Sequence, residues 1–544
     1  MRVTGGHVID PASGIDGVHD LWIRDQSIAK SEADVTADQT IDATDCIVMA
    51  GATDMHTHIG GGKLTLARLL LQDQFPRDSE RMSEFLPAAS VVGNRYLDMG
   101  YTTCFEPAVI PCNARSAHAE MADAVGIDTG GYCLLGNDDV LLKLLAEEAP
   151  QAIINDYVAW MLTATQCIAV KVVNPGGISA FKFNTREFDV NTPHPQYGVT
   201  PSTIIRRLCR AVHEIGLAHP LHVHCSNLGV PGNIASTLAT IKAADGLPIH
   251  LTHAQFHSYG DSGPYKMSSA AEQLARALQT HPNVTIDVGQ VMFGQTVTIS
   301  ADSMHQYDNH THAKPRKSVL VDVECEAGCG VVPFRYRRKQ YVHSLQWAIG
   351  LELFLMIDDP SRVFLTTDHP NGGPFTTYPH LIRLLCDRSY RETALAEIEP
   401  EAAAASQLAG MSREYSFAEI ATMTRSAPAA ILGLRGVGDL APGSNADVVI
   451  YRKHENIERM FAEPTYVIRR GQIVRGEGAS DAATIPTITH TVDVSFDPKT
   501  IPMLAQRYAE QGTMAMSRLR ISDDEMQDTL GTTPCKHVAV RGTV

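Results

Sequence analysis

The stretch IVMAGATDMHTHIGGGK, residues 47–63, decides how the chain is read. A short apolar run ends at His56 and His58, and a glycine loop follows at once. Residues i and i+2 of a strand share a face, so both imidazoles point the same way. Two neutral imidazoles on one side can hold a divalent ion, and the glycines let the backbone turn away. Asp54, just ahead, strengthens that reading. His-x-His is a common pattern by itself, so the weight falls on what other apolar runs offer at their carboxyl ends. PLHVHCSN supplies His222 and His224, PIHLTHAQFH supplies His250, His253 and His257, and RVFLTTDHPNGG ends a β-branched run at Asp368. Asp368 is the only acidic residue read at a late strand end. A single histidine of this kind is more often a hydrogen-bonded core residue. Several strands each offering His or Asp at the carboxyl end is what an active site on a parallel barrel requires. Their wide separation in sequence argues against a local zinc finger.

Two dications about 3.5–4 Å apart repel and need a bridging anion from the protein. No glutamate is read at a suitable strand end, so a lysine is considered instead. CIAVKVVNPGG sets Lys171 on an otherwise apolar strand, where burial disfavours the ammonium form. A neutral lysine amine can capture carbon dioxide and become a carbamate, whose two oxygens can bridge two metals. Lys182, in ISAFKFN, also follows an apolar run and is the rival. Lys171 is preferred because its strand is longer and ends in the turn-forming NPGG. The competing reading is a lysine that carries its charge to the rim.

Around these segments, apolar strand-like runs alternate with helical ones. AIINDYVAWMLTAT precedes CIAVKVV, TIIRRLCRAVHEIG precedes PLHVHC, and AEQLARALQTH precedes VTIDVGQ. Repeated βα alternation predicts parallel strands with helical crossovers, hence an α/β fold of the (β/α)8-barrel type over residues 51–435. VTGGHVIDP, DLWIRDQSIA and TIDATDCIVMAG instead read as short antiparallel strands, and the same texture returns in NADVVIYRK and TYVIRRGQIVRGEG. Residues 1–50 and 436–480 are therefore expected to form one small β-sandwich domain from both chain ends. Residues 481–544, with SDAATIPTITHTVDVSFDP, read as an extension that packs on the outside of the protein or on a partner subunit.

Composition narrows the function classes. With 44% hydrophobic and 19% charged residues among 544, the chain can bury a real core. A net charge of −16 makes nucleic acid a poor partner. No run of about 18 apolar residues suggests a membrane span, and the start lacks a secretory pattern. Eleven cysteines without a CxxC pair read as reduced thiols of a cytoplasmic protein. Cys325 and Cys329 have no second pair to complete a metal site. The basic run Arg335, Tyr336, Arg337, Arg338 and Lys339 stands out in so acidic a chain. It is read as a solvated loop or subunit contact, and second as a site for an anionic carrier chain.

Together these residues resemble the amidohydrolase superfamily, and GDLAPGSNADVVIY resembles that superfamily's return to its small sheet domain. KVVNPGG, THAQFHSYG, IDVGQV, QWAIGLELFLMIDDP and LTTDHPNGGPFT resemble, more narrowly, one family of enzyme-complex components. It comprises the A subunits of archaeal formylmethanofuran dehydrogenase and of the bacterial formyltransferase/hydrolase complex. The likeness runs from the N-terminus to about residue 475. It implies two divalent ions, zinc being the expected metal, held by His56, His58, carboxylated Lys171, His224, His253 and Asp368. Asp368 would also be the catalytic acid–base. Lys63, Asn174 and His257 are candidates for substrate contact. The implied reaction releases formate from an N-formyl group on a methanofuran- or methylofuran-type carrier, within a hetero-oligomer. The alternatives are the archaeal enzyme running towards condensation, a cyclic-amide hydrolase of the dihydropyrimidinase or dihydroorotase type, and a non-catalytic scaffold subunit.

Overall fold

The structure, a computed structural model, describes residues 1–30, 36–70, 86–181, 183, 185, 187–299, 319–321, 329–511, 515–529 and 535–541. Eight parallel strands follow one another around a barrel: Ala52–Asp54, Tyr101–Val109, Asp128–Leu135, Ala169–Val173, Leu221–His224, Ile249–Leu251, Val284–Asp287 and Val363–Phe364. The ring closes where Thr57 pairs with His369 and His58 N–H donates to the His369 carbonyl at 2.9 Å. These strands are the first to eighth barrel strands below. They read as continuous apolar runs because helices cover their outer face while the barrel interior buries the other. The helix Pro201–Ile215 shows how a crossover is built. Thr200 caps it by accepting from Thr203 N–H, Pro201 opens its first turn, and Gly216 ends it at φ +84°. Ile204, Ile205, Leu208 and Val212 face inward, and the chain then enters the fifth strand.

The two chain ends join in one eight-stranded sheet. Its central seam pairs Cys46–Ala50 with Val448–Arg452, antiparallel. Val8, Val48, Val448, Ile450 and Ile468 belong to an apolar cluster of its own. The extension behaves differently from a free tail. Its strand Thr489–Asp493 pairs parallel with the start of the third barrel strand, and Cys535–Ala539 pairs with it in turn. Asp128 joins all three parts. Its carboxylate accepts from Ile488 N–H of the extension at 2.8 Å, and from Arg469 and Arg470 of the small sheet at 3.0–3.1 Å. Burial opposes ionisation of Asp128, yet the two guanidiniums hold its carboxyl below the usual range. Of the two sequence expectations, packing on its own barrel is what the described part of the extension shows. No helix among the described residues is long and apolar enough to cross a membrane.

Candidate metal centre

Histidine and carboxylate side chains from several strand ends converge inside the barrel mouth. Asp54 is not among the convergent donors. It is buried and spent on holding the first strand end. One oxygen accepts from His56 N–H at 3.1 Å, and the other accepts from the Tyr96 and Tyr378 hydroxyls at 2.8 and 2.5 Å. Burial still pushes its carboxyl up to about 6.

His56 and His58 project from the turn that Asp54 fixes. His56 Nε2 lies 3.0 Å, and His58 Nε2 3.5 Å, from Asp368 Oδ1. The far nitrogen of each ring is held from behind. His58 Nδ1 meets Glu106 at 2.7 Å, and His56 Nδ1 faces Asp287 at 3.2 Å. Backing of this kind fixes the ring and its tautomer so that the opposite nitrogen is presented as a ligand. Glu106 corrects one expectation, since a glutamate does sit on a barrel strand. It is no bridge, because it also accepts from Ile59, Gly60 and Ala108 N–H at 2.8–3.1 Å. Asp287 corrects another: Asp368 is not the only acid at a late strand end. Both lie in buried apolar runs, YTTCFEPAV and IDVGQV. A lone acid in such a run was the signal to follow.

Lys171 is buried at 2% exposure in the fourth strand. Its Cα pairs with His222, which pairs with His250, which pairs with Thr285, so one register row runs around the barrel. After burial, the Lys171 charge is the next cause that lowers the proton affinity of His222, and it also depresses His253 and His257. Its amine therefore lies among the histidines. Lys182 lies outside the described residues, as does Cys325.

His224, His253 and His257 form a cluster whose donor atoms lie within 4.8 Å of one another. Their ring centroids are 4.6–5.2 Å apart. Three of these buried nitrogens, His253 Nδ1 and both of His257, have no hydrogen-bond partner among the described residues. Such an atom costs about 1–3 kcal/mol unless something satisfies it. His56, His253 and Asp368 form an adjoining group within the same limit. Burial opposes both charges here, yet Glu106 and Asp368 raise His58 to about 9. His253 and His56 in turn hold Asp368 well below the usual range. Neutral imidazoles, carboxylates and unsatisfied nitrogens together fit a divalent metal.

Backbone geometry aims two of these groups. His253 and Asp368 both sit in the left-handed region, at φ +38° and +50°, a conformation that costs a non-glycine residue roughly 1–3 kcal/mol. Gly289 makes room, since a Cβ there would lie 2.3 Å from that of His253. Asn371 steadies Asp368 with a 3.0 Å bond, and the buried Tyr336 hydroxyl donates to the Asn371 carbonyl at 3.0 Å. Of the substrate candidates, Asn174 is buried beside the site, its N–H donating to the His224 carbonyl at 3.0 Å. Lys63 belongs to the helix Gly62–Leu70 that follows His58, and its side chain is outside the described residues. In the basic run, Arg335, Arg337, Arg338 and Lys339 are exposed, and Arg338 pairs with Glu397.

A barrel with convergent histidines and aspartate at its mouth, flanked by a sheet from both termini, defines a class. The chain belongs to the amidohydrolase family, whose model matches residues 39–475. It is 46% identical to the Fhc A subunit of the formyltransferase/hydrolase complex of Methylorubrum extorquens, over 88% of either chain. With the protein FwdA of Methanocaldococcus jannaschii the identity is 37%, again over 88% of each. A crystal structure of FhcABCD from Methylorubrum extorquens in complex with methylofuran contains a chain that superposes with a TM-score of 0.92. That match has 41% identity and covers 99% of this chain and all of the other.

Proposed function

We propose that this chain is a binuclear-metal formyl hydrolase, releasing formate from an N-formyl group on a methanofuran- or methylofuran-type carrier. It would do so within a formyltransferase/hydrolase-type complex. The observation that carries the reading is the 46% identity, over 88% of both chains, with the Fhc A subunit. In this reading residues 51–435 are the catalytic barrel, 1–50 and 436–480 the sheet that flanks it, and 481–544 an extension. The metal ligands are His56, His58, N6-carboxylated Lys171, His224, His253 and Asp368. When bound, two divalent ions would supply an acidified water and a polarised formyl carbonyl.

The remaining chemistry belongs to the protein. Asp368 takes the proton of the attacking water and returns it to the departing amine nitrogen as the C–N bond breaks. His253 and His56 hold its carboxyl well below the usual range against the cost of burial, so it stands ionised before the proton arrives. Asn371 holds its carboxylate oxygen in place. Lys63, Asn174 and His257 are the candidates for contact with the carrier. The free, mostly buried cysteines accord with a cytoplasmic protein. The 37% identity with FwdA favours, as a second reading, the same site run towards condensation.

Metal analysis alongside a formate-release assay on the purified complex tests the proposal. Two metals per chain and formate release from a formylated aminomethylfuran carrier are expected. Turnover of a small cyclic amide by a lone, fully active monomer would leave only the metal hydrolase. A metal-free, inactive chain in an active complex would make it a scaffold.

A further inference from the structure

We propose that His257 is a metal ligand, completing with His224 and His253 a three-imidazole site that holds one divalent ion without Lys171. This rests on the binuclear reading above and moves His257 from the substrate to the metal.

His257 ends the short turn Ala254–His257, four residues after His253. Both ends of that turn are tied down. Gln255 N–H donates to the Val288 carbonyl at 3.1 Å, and the Thr237 hydroxyl donates to the His257 carbonyl at 2.7 Å. The ring is 1% exposed, and neither of its nitrogens meets a hydrogen-bond partner among the described residues. A neutral imidazole has one N–H to donate and one lone pair to fill, and buried polar atoms are nearly always satisfied. Contact with substrate would satisfy His257 only while substrate is bound. A resident ion fills its lone pair throughout.

The neighbours choose the ion. One donor atom from each of His224, His253 and His257 lies within 4.8 Å of the others, and zinc takes imidazole nitrogens at about 2.0–2.1 Å. The adjoining group of His56, His253 and Asp368 includes a carboxylate, whereas this trio is all imidazole. Three histidines with an open fourth position are a sufficient protein set for one zinc ion. The two ions should therefore differ: one depends on Lys171, and the other keeps three protein ligands when the lysine is removed.

The test uses the full chain and metal alone, without substrate. Metal content and the visible absorption of the cobalt-substituted protein are measured for the parent, Lys171→Ala, His257→Asn and Lys171→Ala/His257→Asn. Lys171→Ala should retain about one ion per chain and the double variant none. His257→Asn should change the cobalt spectrum and lose at least about tenfold in competition with a chelator, with unchanged circular dichroism. If the His257 variants do not fold, X-ray absorption of one-zinc Lys171→Ala counts its imidazoles: three are expected, and two overturn the assignment. Folded His257→Asn with the parent's spectrum and chelator competition would also overturn it. In that case two ions in the parent leave the binuclear reading standing, whereas a parent unable to bind metal sinks that reading itself.

Discussion

On the fifth barrel strand His222 and His224 stand two residues apart, and around the end of the sixth His250 and His253 stand three apart. All four are buried, and their surroundings differ sharply. In the lower layer the nitrogens are bonded to the protein. His222 lies between His219 at 3.0 Å and His56 at 2.9 Å, and His250 between Thr285 at 2.8 Å and Asp287 at 3.1 Å. In the upper layer His253 Nδ1 and both nitrogens of His257 meet no partner among the described residues. The same residue type thus serves two purposes. The lower layer is bonded within the protein, except for His219 Nδ1, which meets no partner among the described residues; it orients His56 and, through Asp287, the His253 backbone at 2.9 Å. The upper layer presents donors that could hold a metal ion.

Removing the bridge should break the upper layer most severely. Lys171→Ala is expected to lose one of its two ions and the activity, with activity partly restored by a short carboxylic acid, while Lys182→Ala keeps both. Full activity with two metals in Lys171→Ala would end the carbamate assignment.

Asp368→Asn should leave much of the metal bound and lower turnover by about 10²- to 10⁴-fold, because an amide cannot accept the proton. Formate-release kinetics and metal content on the same sample measure both. A rate within a few-fold of the parent would remove the acid–base role.

Disturbing the lower layer should be milder. Asp287→Asn removes a charge that backs His56 and His250, so metal affinity should fall about 10- to 100-fold while two ions still bind at saturation. Should it instead abolish one site outright, Asp287 is a ligand and the two layers are not separate.

His490 sharpens the comparison from a distance. It too is buried, and among the described residues neither of its nitrogens meets a partner and it joins no group of metal donors. Orphan nitrogens without companions should bind no metal and should show up as pH dependence. Burial holds His490 down to about 4, with Asp128 opposing and Lys536, Arg470 and Arg469 assisting. The unfolded chain takes up this proton below about 6.5 and the folded chain only near 4. Stability is therefore full above about 6.5 and falls as the pH drops towards 4, by roughly 3 kcal/mol in all. Thermal melts of the parent and His490→Phe from pH 7 to 4.5 check this. Parallel curves would mean that His490 does not titrate as its burial requires.

Much of the architecture was legible in local pattern. Apolar runs between amphipathic helices predicted the barrel, the matched textures of the two ends predicted one joined sheet, and strand-end placement offered His56, His58, His222, His224, His250, His253, His257 and Asp368 as candidate donors, with Lys171 on an apolar strand. These are properties of neighbouring residues, and strand and helix periods carry them directly. Spacing did not sort the donors. His250 and Thr252 follow strand alternation, whereas His253 reaches the site through a left-handed turn that Gly289 makes room for. Glu106 and Asp287 looked like isolated acids in apolar runs until the barrel brought them behind His58 and His56. The extension carried no visible partner, and pairing with the third barrel strand depends on Asp128 meeting Arg469, Arg470 and Ile488. The sequence by itself offered the candidate metal donors and the kind of element on which they lie. Only the tertiary structure decided which nitrogens are spent on the protein and which stay open, because that depends on contacts between strands far apart in the chain.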